Sequence, residues 1–190
     1  MSTEASDARA LPSNVVRTLP YTLYVGTAAY AAVFASGEAL ALLVGLVLNE
    51  VSNHAAKAAC KGIFGKDTVW IKRPAGAMDT GIYPSHQPKV STTSGMPSGH
   101  AQTAWFAAVV FLHAVFRDPS RGIFSSLSSA ISIVALAALT AISRTQYGGI
   151  FTVHVNGTPR PAHTVNQIIL GGVLGVFNGL LALRVWESFA

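Results

Sequence analysis

Long stretches without charge are the feature that most restricts how this chain can fold. Five apolar stretches carry at most one charged residue each, and they cover residues 18–37, 39–56, 90–116, 122–143 and 161–183. About 20 helical residues cross the apolar core of a bilayer. The sequence therefore predicts an all-α, multi-pass bundle of about five transmembrane helices. Helix three is expected to begin near Pro97, because a polar loop occupies the first part of its stretch.

The composition also restricts the partners of the chain. Charged residues make up 11% of the sequence, against roughly 25% in ordinary soluble domains. The net charge is +5, but no interleaved aromatic and basic residues or recognition motif accompany it, so nucleic acid is not an expected partner. The basic residues adjoin the predicted membrane ends instead. The expected partners are the lipid bilayer and a phosphorylated lipid, both of which attract such residues.

The sequence predicts that the chain consists of a tail and a membrane-embedded domain. Residues 1–17 are polar and lack apolar periodicity, which favours a flexible tail, and residues 18–190 form the membrane-embedded domain. The polar start does not lead directly from basic residues into a short apolar core, which argues against a cleaved signal peptide. Near residues 150–160 the pattern alternates and contains Asn156-Gly157, which predicts a small β-hairpin.

The last helix carries a regular pattern of glycines. Gly171, Gly175 and Gly179 recur every four residues, so they share one face of the helix. Small residues at this spacing let a neighbouring helix approach closely. We expect this face to be a packing surface.

Four short polar signatures lie at the ends of the apolar stretches. They are Lys66 with Arg73-Pro74, Pro97-Ser98-Gly99-His100, Ser143-Arg144, and His163 with Gln167. Helix two delivers the first signature to one membrane face, where helix three then begins. Helix four returns to the same face and helix five starts there. Counting the crossings therefore predicts that all four signatures form one site.

The cationic and helix-start residues suit a phosphate group. Arg73 and Arg144 can each bind phosphate oxygens bidentately, and Lys66 adds a third positive charge. Ser98 and Gly99 open a helix, where free backbone N–H groups and the helix dipole attract anions. A basic flank of a membrane helix is the alternative explanation for such cations. Because the other signatures are predicted to lie beside Lys66 and Arg73, we favour a phosphate site over a basic membrane flank for these two residues.

The histidines supply the reactive groups. His163 and Gln167 share one face of a helix, so Gln167 can accept the Nδ1–H of the imidazole and leave Nε2 free as a nucleophile. His154 is the alternative nucleophile, ranked second because no apolar helix follows it. Neither the other histidines nor any cysteine pair or carboxylate cluster has the spacing of metal ligands. No metal or other cofactor is predicted.

These signatures resemble the motifs of the type-2 phosphatidic acid phosphatase and haloperoxidase superfamily. Its motifs are Lys, six residues, Arg-Pro; Pro-Ser-Gly-His; and Ser-Arg, five residues, His, three residues, Asp. The first two match fully at residues 66–74 and 97–100, within a likeness that covers about residues 40–186. The third departs twice, because 18 residues separate Arg144 from His163 and Gln167 replaces the aspartate. The chain is most similar to the dolichyl diphosphate phosphatase branch.

The resemblance implies a metal-independent lipid phosphatase. His163 would attack phosphorus to form a phosphohistidine, while His100 would protonate the leaving oxygen and later activate water. The residues that would hold the phosphate are Lys66, Arg73, Ser98, Gly99 and Arg144. The implied substrate is a polyprenyl or dolichyl diphosphate.

Other functions stay open at this point. A phosphatidate or other phospholipid phosphatase would have the same motifs. A catalytically silent lipid-phosphate-binding membrane protein belongs to a different class, and Gln167 and the stretched third motif favour it. Vanadium haloperoxidases fit least, because they are typically soluble. Positive-inside counting puts the site face in the cytoplasm, whereas the resemblance implies a lumenal site, in the endoplasmic reticulum or another endomembrane if the chain is eukaryotic.

Overall fold

The computed structural model describes residues 4–78, 90, 91, 93–155 and 157–188 of the chain. Within these residues, the α-helices are α1 (Glu4–Phe34), α2 (Gly37–Phe64), α3 (Gly99–Arg117), α4 (Ile123–Ile142) and α5 (Val165–Glu187). A short 3-10 helix, Gln146–Phe151, follows α4. The predicted all-α bundle is confirmed.

Four helices of the described chain are long and apolar enough to cross a membrane, namely α2, α3, α4 and α5. The chain is therefore a multi-pass membrane protein. The fifth expected span, α1, is not among them, because its prolines, threonines and tyrosines make it less apolar. It nevertheless packs beside α2, where the Tyr24 hydroxyl donates a hydrogen bond to the Leu46 carbonyl at 3.0 Å.

The start of α1 differs from the sequence expectation. The sequence predicts a flexible tail for residues 1–17, whereas the structure is helical from Glu4 onwards. Ser13 and Arg17 are both buried in the bundle. The burial of these two polar residues depends on tertiary contacts that apolar periodicity does not reveal.

Helix α3 lies at the centre of the bundle and packs closely on α5. A Cβ atom added at Gly171 would collide with the Ser98 carbonyl, and one added at Gly175 would collide with the Gln102 carbonyl. At Gly179 an added Cβ would lie 2.8 Å from the Cβ of Val109. The predicted packing role of the three glycines is confirmed.

A buried polar network joins α2, α3 and α5. The side-chain amide of Gln102 donates to Asn49 Oδ1 at 3.0 Å and to Ser52 Oγ at 2.9 Å. Asn178 Nδ2 donates to the same two oxygen atoms, at 2.9 and 2.7 Å. Hydrogen bonds of this kind satisfy polar groups that would be costly in an apolar medium. They fix the first half of α3 against its two neighbours.

The predicted hairpin is present between the 3-10 helix and α5. Strand β1 (His154–Val155) pairs antiparallel with β2 (Thr158–Pro159), and His154 lies opposite Pro159. Asn156, in the turn, lies outside the described residues. The hairpin is therefore a short excursion from a helical bundle.

Candidate active site

Backbone hydrogen bonds bring the two ends of the long third motif together. The Arg144 carbonyl accepts hydrogen bonds from the N–H groups of Ala162 and His163, both at 2.9 Å. The residues between them, including the hairpin, loop out from this point. The start of α5 therefore lies beside the end of α4, and the 18 intervening residues do not separate Arg144 from His163.

The buried ring of His163 is held by two acceptors. Its Nδ1 lies 2.9 Å from the Gly95 carbonyl and 3.3 Å from Gln167 Oε1. Because neither acceptor carries a proton, Nδ1 must carry it, and Nε2 holds the free lone pair. That Nε2 atom faces Arg73 Nη1 at 3.4 Å. The Gly95 carbonyl is the closer acceptor, and no motif identifies it.

Gln167 is fully buried, and its amide orientation follows from its partners. Its Nε2 donates to the carbonyls of Trp70 and Lys72 at 3.0 and 2.8 Å, while Oε1 accepts from the Thr164 N–H at 3.2 Å. A rotated amide would set its oxygen against two carbonyl oxygens. An aspartate or glutamate could not make both donations. The amide thus ties α5 to the segment that carries Arg73.

Arg73 is held by two segments. Its Nε and Nη2 donate to the carbonyl and the hydroxyl of Thr93, at 3.2 and 3.0 Å. Its Nη1 donates to the Ala162 carbonyl at 3.2 Å and points at the ring of His163. These contacts fix the orientation of the guanidinium.

Burial and neighbouring charges make His163 a neutral base. Desolvation lowers the pKa of His163 well below its usual value of 6.5, and the charges of Arg73, Arg144 and His100 lower it further. The hydrogen bond that His163 Nδ1–H donates to Gln167 opposes this shift. Desolvation and these charges favour the neutral ring, which carries its one proton on Nδ1 and leaves the lone pair of Nε2 unprotonated.

The start of α3 offers an unused hydroxyl. Ser98 is the N-cap residue of α3, but its side chain makes no capping hydrogen bond. Its Oγ is buried and has no hydrogen-bond partner in the described part of the chain. Its backbone N–H donates to the Gln167 carbonyl at 3.0 Å. A buried hydroxyl without a partner costs about 1–3 kcal/mol, and at a helix N-terminus it suits an anion.

Gly99 stands beside Ser98 at the first position of α3. A Cβ added to Gly99 would lie 3.4 Å from Asn53 Oδ1. Gly99 therefore places the start of α3 within van der Waals contact of α2.

His100 lies one residue further, against α1. Its Nε2 lies 3.1 Å from the Arg17 carbonyl and donates its proton there. The ring of Tyr21 packs edge-on, with the ring centroids 5.8 Å apart. The charges of Arg144, Arg17 and Arg73 all act on His100. Motif analysis misses Arg17, whose only signal is its position directly before an apolar stretch.

Two candidate residues lie apart from this group. Lys66 is exposed in the turn after α2, and within the described residues it makes no hydrogen bond or ion pair to the others. His154 is exposed on the hairpin, where its Nδ1 donates to the Thr152 carbonyl at 2.7 Å. The arrangement that surrounds His163 therefore does not include the alternative nucleophile.

Comparison of the sequence with known proteins identifies the family to which the chain belongs. The sequence profile of the PAP2 superfamily matches residues 38–189, and the chain belongs to this superfamily of lipid phosphate phosphatases. Dolichyldiphosphatase 1 from Rhinolophus ferrumequinum is 29% identical over 153 residues, which are 79% of this chain and 52% of that protein. The chain thus spans about half the length of this curated relative. No solved structure matches the chain.

Proposed function

We propose that this chain is an integral-membrane phosphatase that hydrolyses a lipid diphosphate through a phosphohistidine at His163. The observation that carries the proposal is the state of the His163 ring, with its proton held by the Gly95 carbonyl and its Nε2 lone pair facing Arg73. The likeness to Dolichyldiphosphatase 1 supports a polyprenyl diphosphate as the substrate.

The first step is an in-line displacement at the terminal phosphorus. The Nε2 lone pair of His163 forms a bond to phosphorus while the bond from phosphorus to the bridging oxygen breaks. The Gly95 carbonyl, which accepts the Nδ1–H, stabilises the positive charge that develops on the ring. Arg73, Arg144 and the Ser98 hydroxyl bind the other oxygen atoms of the transferred group.

His100 serves the leaving group. In its protonated form it gives the leaving oxygen the Nε2 proton that it otherwise donates to the Arg17 carbonyl, and it keeps its Nδ1 proton. In the second step a water molecule gives a proton to His100 and attacks the phosphohistidine. The bond from phosphorus to nitrogen breaks, which releases inorganic phosphate and restores both rings. Lys66 and the backbone of Gly99 complete the proposed phosphate-binding set.

The test compares His163→Ala with His154→Ala. In detergent micelles with EDTA and farnesyl diphosphate, we expect His163→Ala to lose phosphate release by about 1,000-fold or more, because the covalent step is gone. His154→Ala should stay close to wild type, because that ring is exposed on the hairpin. In single-turnover assays with labelled phosphate, wild type should acquire an acid-labile, alkali-stable label that His163→Ala lacks.

Other outcomes would replace the proposal. Full activity of His163→Ala would contradict the assignment of the nucleophile. Binding of farnesyl diphosphate without turnover by wild type would identify a silent lipid-phosphate-binding protein. A higher kcat/KM for phosphatidate than for polyprenyl diphosphates would identify a phospholipid phosphatase.

A further inference from the structure

Arg17 is a buried cation that the proposed chemistry leaves unused. Its residue is 2% exposed, and its Nε and Nη2 atoms have no hydrogen-bond partner in the described part of the chain. Burying a charge without compensation costs several kcal/mol. A ligand with hydrogen-bond acceptors would satisfy these donors and offset the cost of burying the charge. The missing acceptors are the first indication of a ligand.

The position of Arg17 is on the His100 side of the site. The Arg17 carbonyl accepts the Nε2–H of His100 at 3.1 Å, which is the proton destined for the leaving oxygen. The charges of Arg73 and Arg144 act on both histidines, and the charge of Arg17 acts on His100. In an in-line displacement the leaving group departs on the side opposite the nucleophile. The backbone of Arg17 therefore adjoins the ring that we propose to protonate the leaving oxygen.

The same stretch of α1 borders an apolar groove. A groove of about 160 Å³ lies between α1, α3 and α4, and its lining includes Leu19, Pro20 and Ala104. Ala104 lies one helical turn beyond His100. An apolar chain attached to the leaving group would therefore find an apolar surface directly beside Arg17.

We propose that Arg17 binds the lipid-linked phosphate of a diphosphate substrate, the group that departs as a lipid monophosphate. A guanidinium can bind two phosphate oxygens at once. Arg73, Arg144 and Ser98 would hold the transferred phosphate, and Arg17 the one that stays on the lipid. The inference rests on the proposed function and makes the site selective for diphosphates over monoesters. Arg17 lies outside residues 38–189, so the family match does not include it.

The test measures a ratio of two substrates with the same chain. Wild type, Arg17→Met and Arg17→Lys are assayed with farnesyl diphosphate and farnesyl monophosphate. We expect Arg17→Met to lower the diphosphate-to-monophosphate ratio of kcat/KM by about 10- to 100-fold, the effect of losing a hydrogen bond to a charged group. Arg17→Lys keeps the positive charge but cannot bind two phosphate oxygens in the bidentate manner of a guanidinium, so its ratio should be intermediate. Arg121→Met, near the opposite membrane end, is the matched control.

Thermal unfolding without substrate separates binding from a structural role. Removing an uncompensated buried charge should leave the Tm of Arg17→Met equal to or above that of wild type. An unchanged substrate ratio, or a ratio change accompanied by a lowered Tm that Arg17→Lys restores, would overturn the proposal.

A binding measurement keeps this inference separate from the proposed function. If wild type hydrolyses neither substrate, the proposed phosphatase function fails, and the thermal shift caused by farnesyl diphosphate then tests Arg17. A shift that exceeds that of farnesyl monophosphate and is lost in Arg17→Met supports the binding role. A shift that Arg17→Met retains refutes it.

Discussion

At the scale of single residues, the tautomer of His163 is selected by two neighbouring acceptors. The Gly95 carbonyl and Gln167 Oε1 both require a proton on Nδ1, which leaves the lone pair on Nε2, the atom that we propose as the nucleophile. The Gln167 amide can present its oxygen to His163 because its nitrogen is occupied by the carbonyls of Trp70 and Lys72. One side chain thus couples the orientation of the nucleophile to the position of the segment leading to Arg73.

Replacing Gln167 with glutamate tests this coupling. A carboxylate would place an oxygen against the carbonyls of Trp70 and Lys72, and two donated hydrogen bonds would be lost. We expect Gln167→Glu to lower the free energy of unfolding by about 2–4 kcal/mol and to lower phosphate release as well. Denaturant titration in mixed micelles measures the first effect, and a phosphate assay the second.

Gln146→Glu is the matched control for this substitution. Gln146 is exposed in the 3-10 helix, so the same change of charge there should alter stability by less than about 0.5 kcal/mol. If Gln167→Glu were as stable as wild type, the two donated hydrogen bonds would not be holding the segment in place.

Sequence motifs identify side chains but not backbone groups. The spacing of His163 and Gln167 predicts that they face each other, and the structure has them 3.3 Å apart. Motifs do not identify the Gly95 carbonyl as a partner of His163, because every residue type carries the same carbonyl. They do not identify Arg17 either, because the burial of a polar residue depends on contacts with distant helices.

At the scale of elements, the site depends on how closely α5 approaches α3. Gly171 faces the Ser98 backbone, and Gly175 faces the Gln102 carbonyl, so a side chain at either position would push the helices apart. Because Ser98 begins α3, this contact sets the distance between the helix that carries His100 and the helix that follows His163.

Gly171→Ala should therefore damage both stability and activity. The added methyl group collides with the Ser98 carbonyl and would lie 3.1 Å from its nitrogen, and overpacking of this kind costs about 1–3 kcal/mol. A shift of Ser98 and His100 relative to His163 should lower kcat/KM by about tenfold or more, because catalysis is sensitive to displacements of about 1 Å. Unfolding and phosphate-release measurements check both effects.

Gly62→Ala provides the comparison on α2. No atom lies within 4 Å of a Cβ added at Gly62, so the alanine should leave activity intact and stabilise the helix by up to about 1 kcal/mol. Equal behaviour of the Gly62 and Gly171 variants would show that close contact between α3 and α5 does not control the site.

Local sequence predicts the positions of most helices, but not the start of α1. Helices α2 to α5 lie where the apolar stretches predict them, because lipid requires continuous apolar surface over about 20 residues. The hairpin follows from its alternating pattern and its Asn-Gly turn. Helix α1 begins at Glu4, within a polar stretch where no apolar periodicity predicts a helix.

At the scale of the whole molecule, backbone hydrogen bonds bring proposed site residues from three helix ends together. The hydrogen bonds from Ala162 and His163 to the Arg144 carbonyl join the end of α4 to the approach to α5. The link from the Ser98 N–H to the Gln167 carbonyl joins the start of α3 to α5. These two contacts involve the start of α3, the residue after α4 and the start of α5, whereas the position of His100 depends also on the Arg17 carbonyl in α1.

This arrangement predicts the sidedness of the loops in a membrane. In sealed vesicles, an impermeant maleimide should label Gln146→Cys and Ser120→Cys from opposite sides, because the 20 residues of α4 (Ile123–Ile142) separate them and such a helix spans about 30 Å. Each variant is made in a Cys60→Ser background, since Cys60 is the single cysteine. Labelling in detergent confirms that every position is reactive.

A third position makes this experiment a test of the site. Asp67→Cys lies in the exposed turn between α2 and Arg73, and it should label from the same side as Gln146→Cys, which follows Arg144. Labelling of Asp67→Cys from the side of Ser120→Cys would contradict the topology. Arg73 and Arg144 would then lie at opposite headgroup layers, about 30 Å apart, and could not bind one phosphate. Shared sidedness is therefore the condition that any single-site phosphatase built on these residues has to meet.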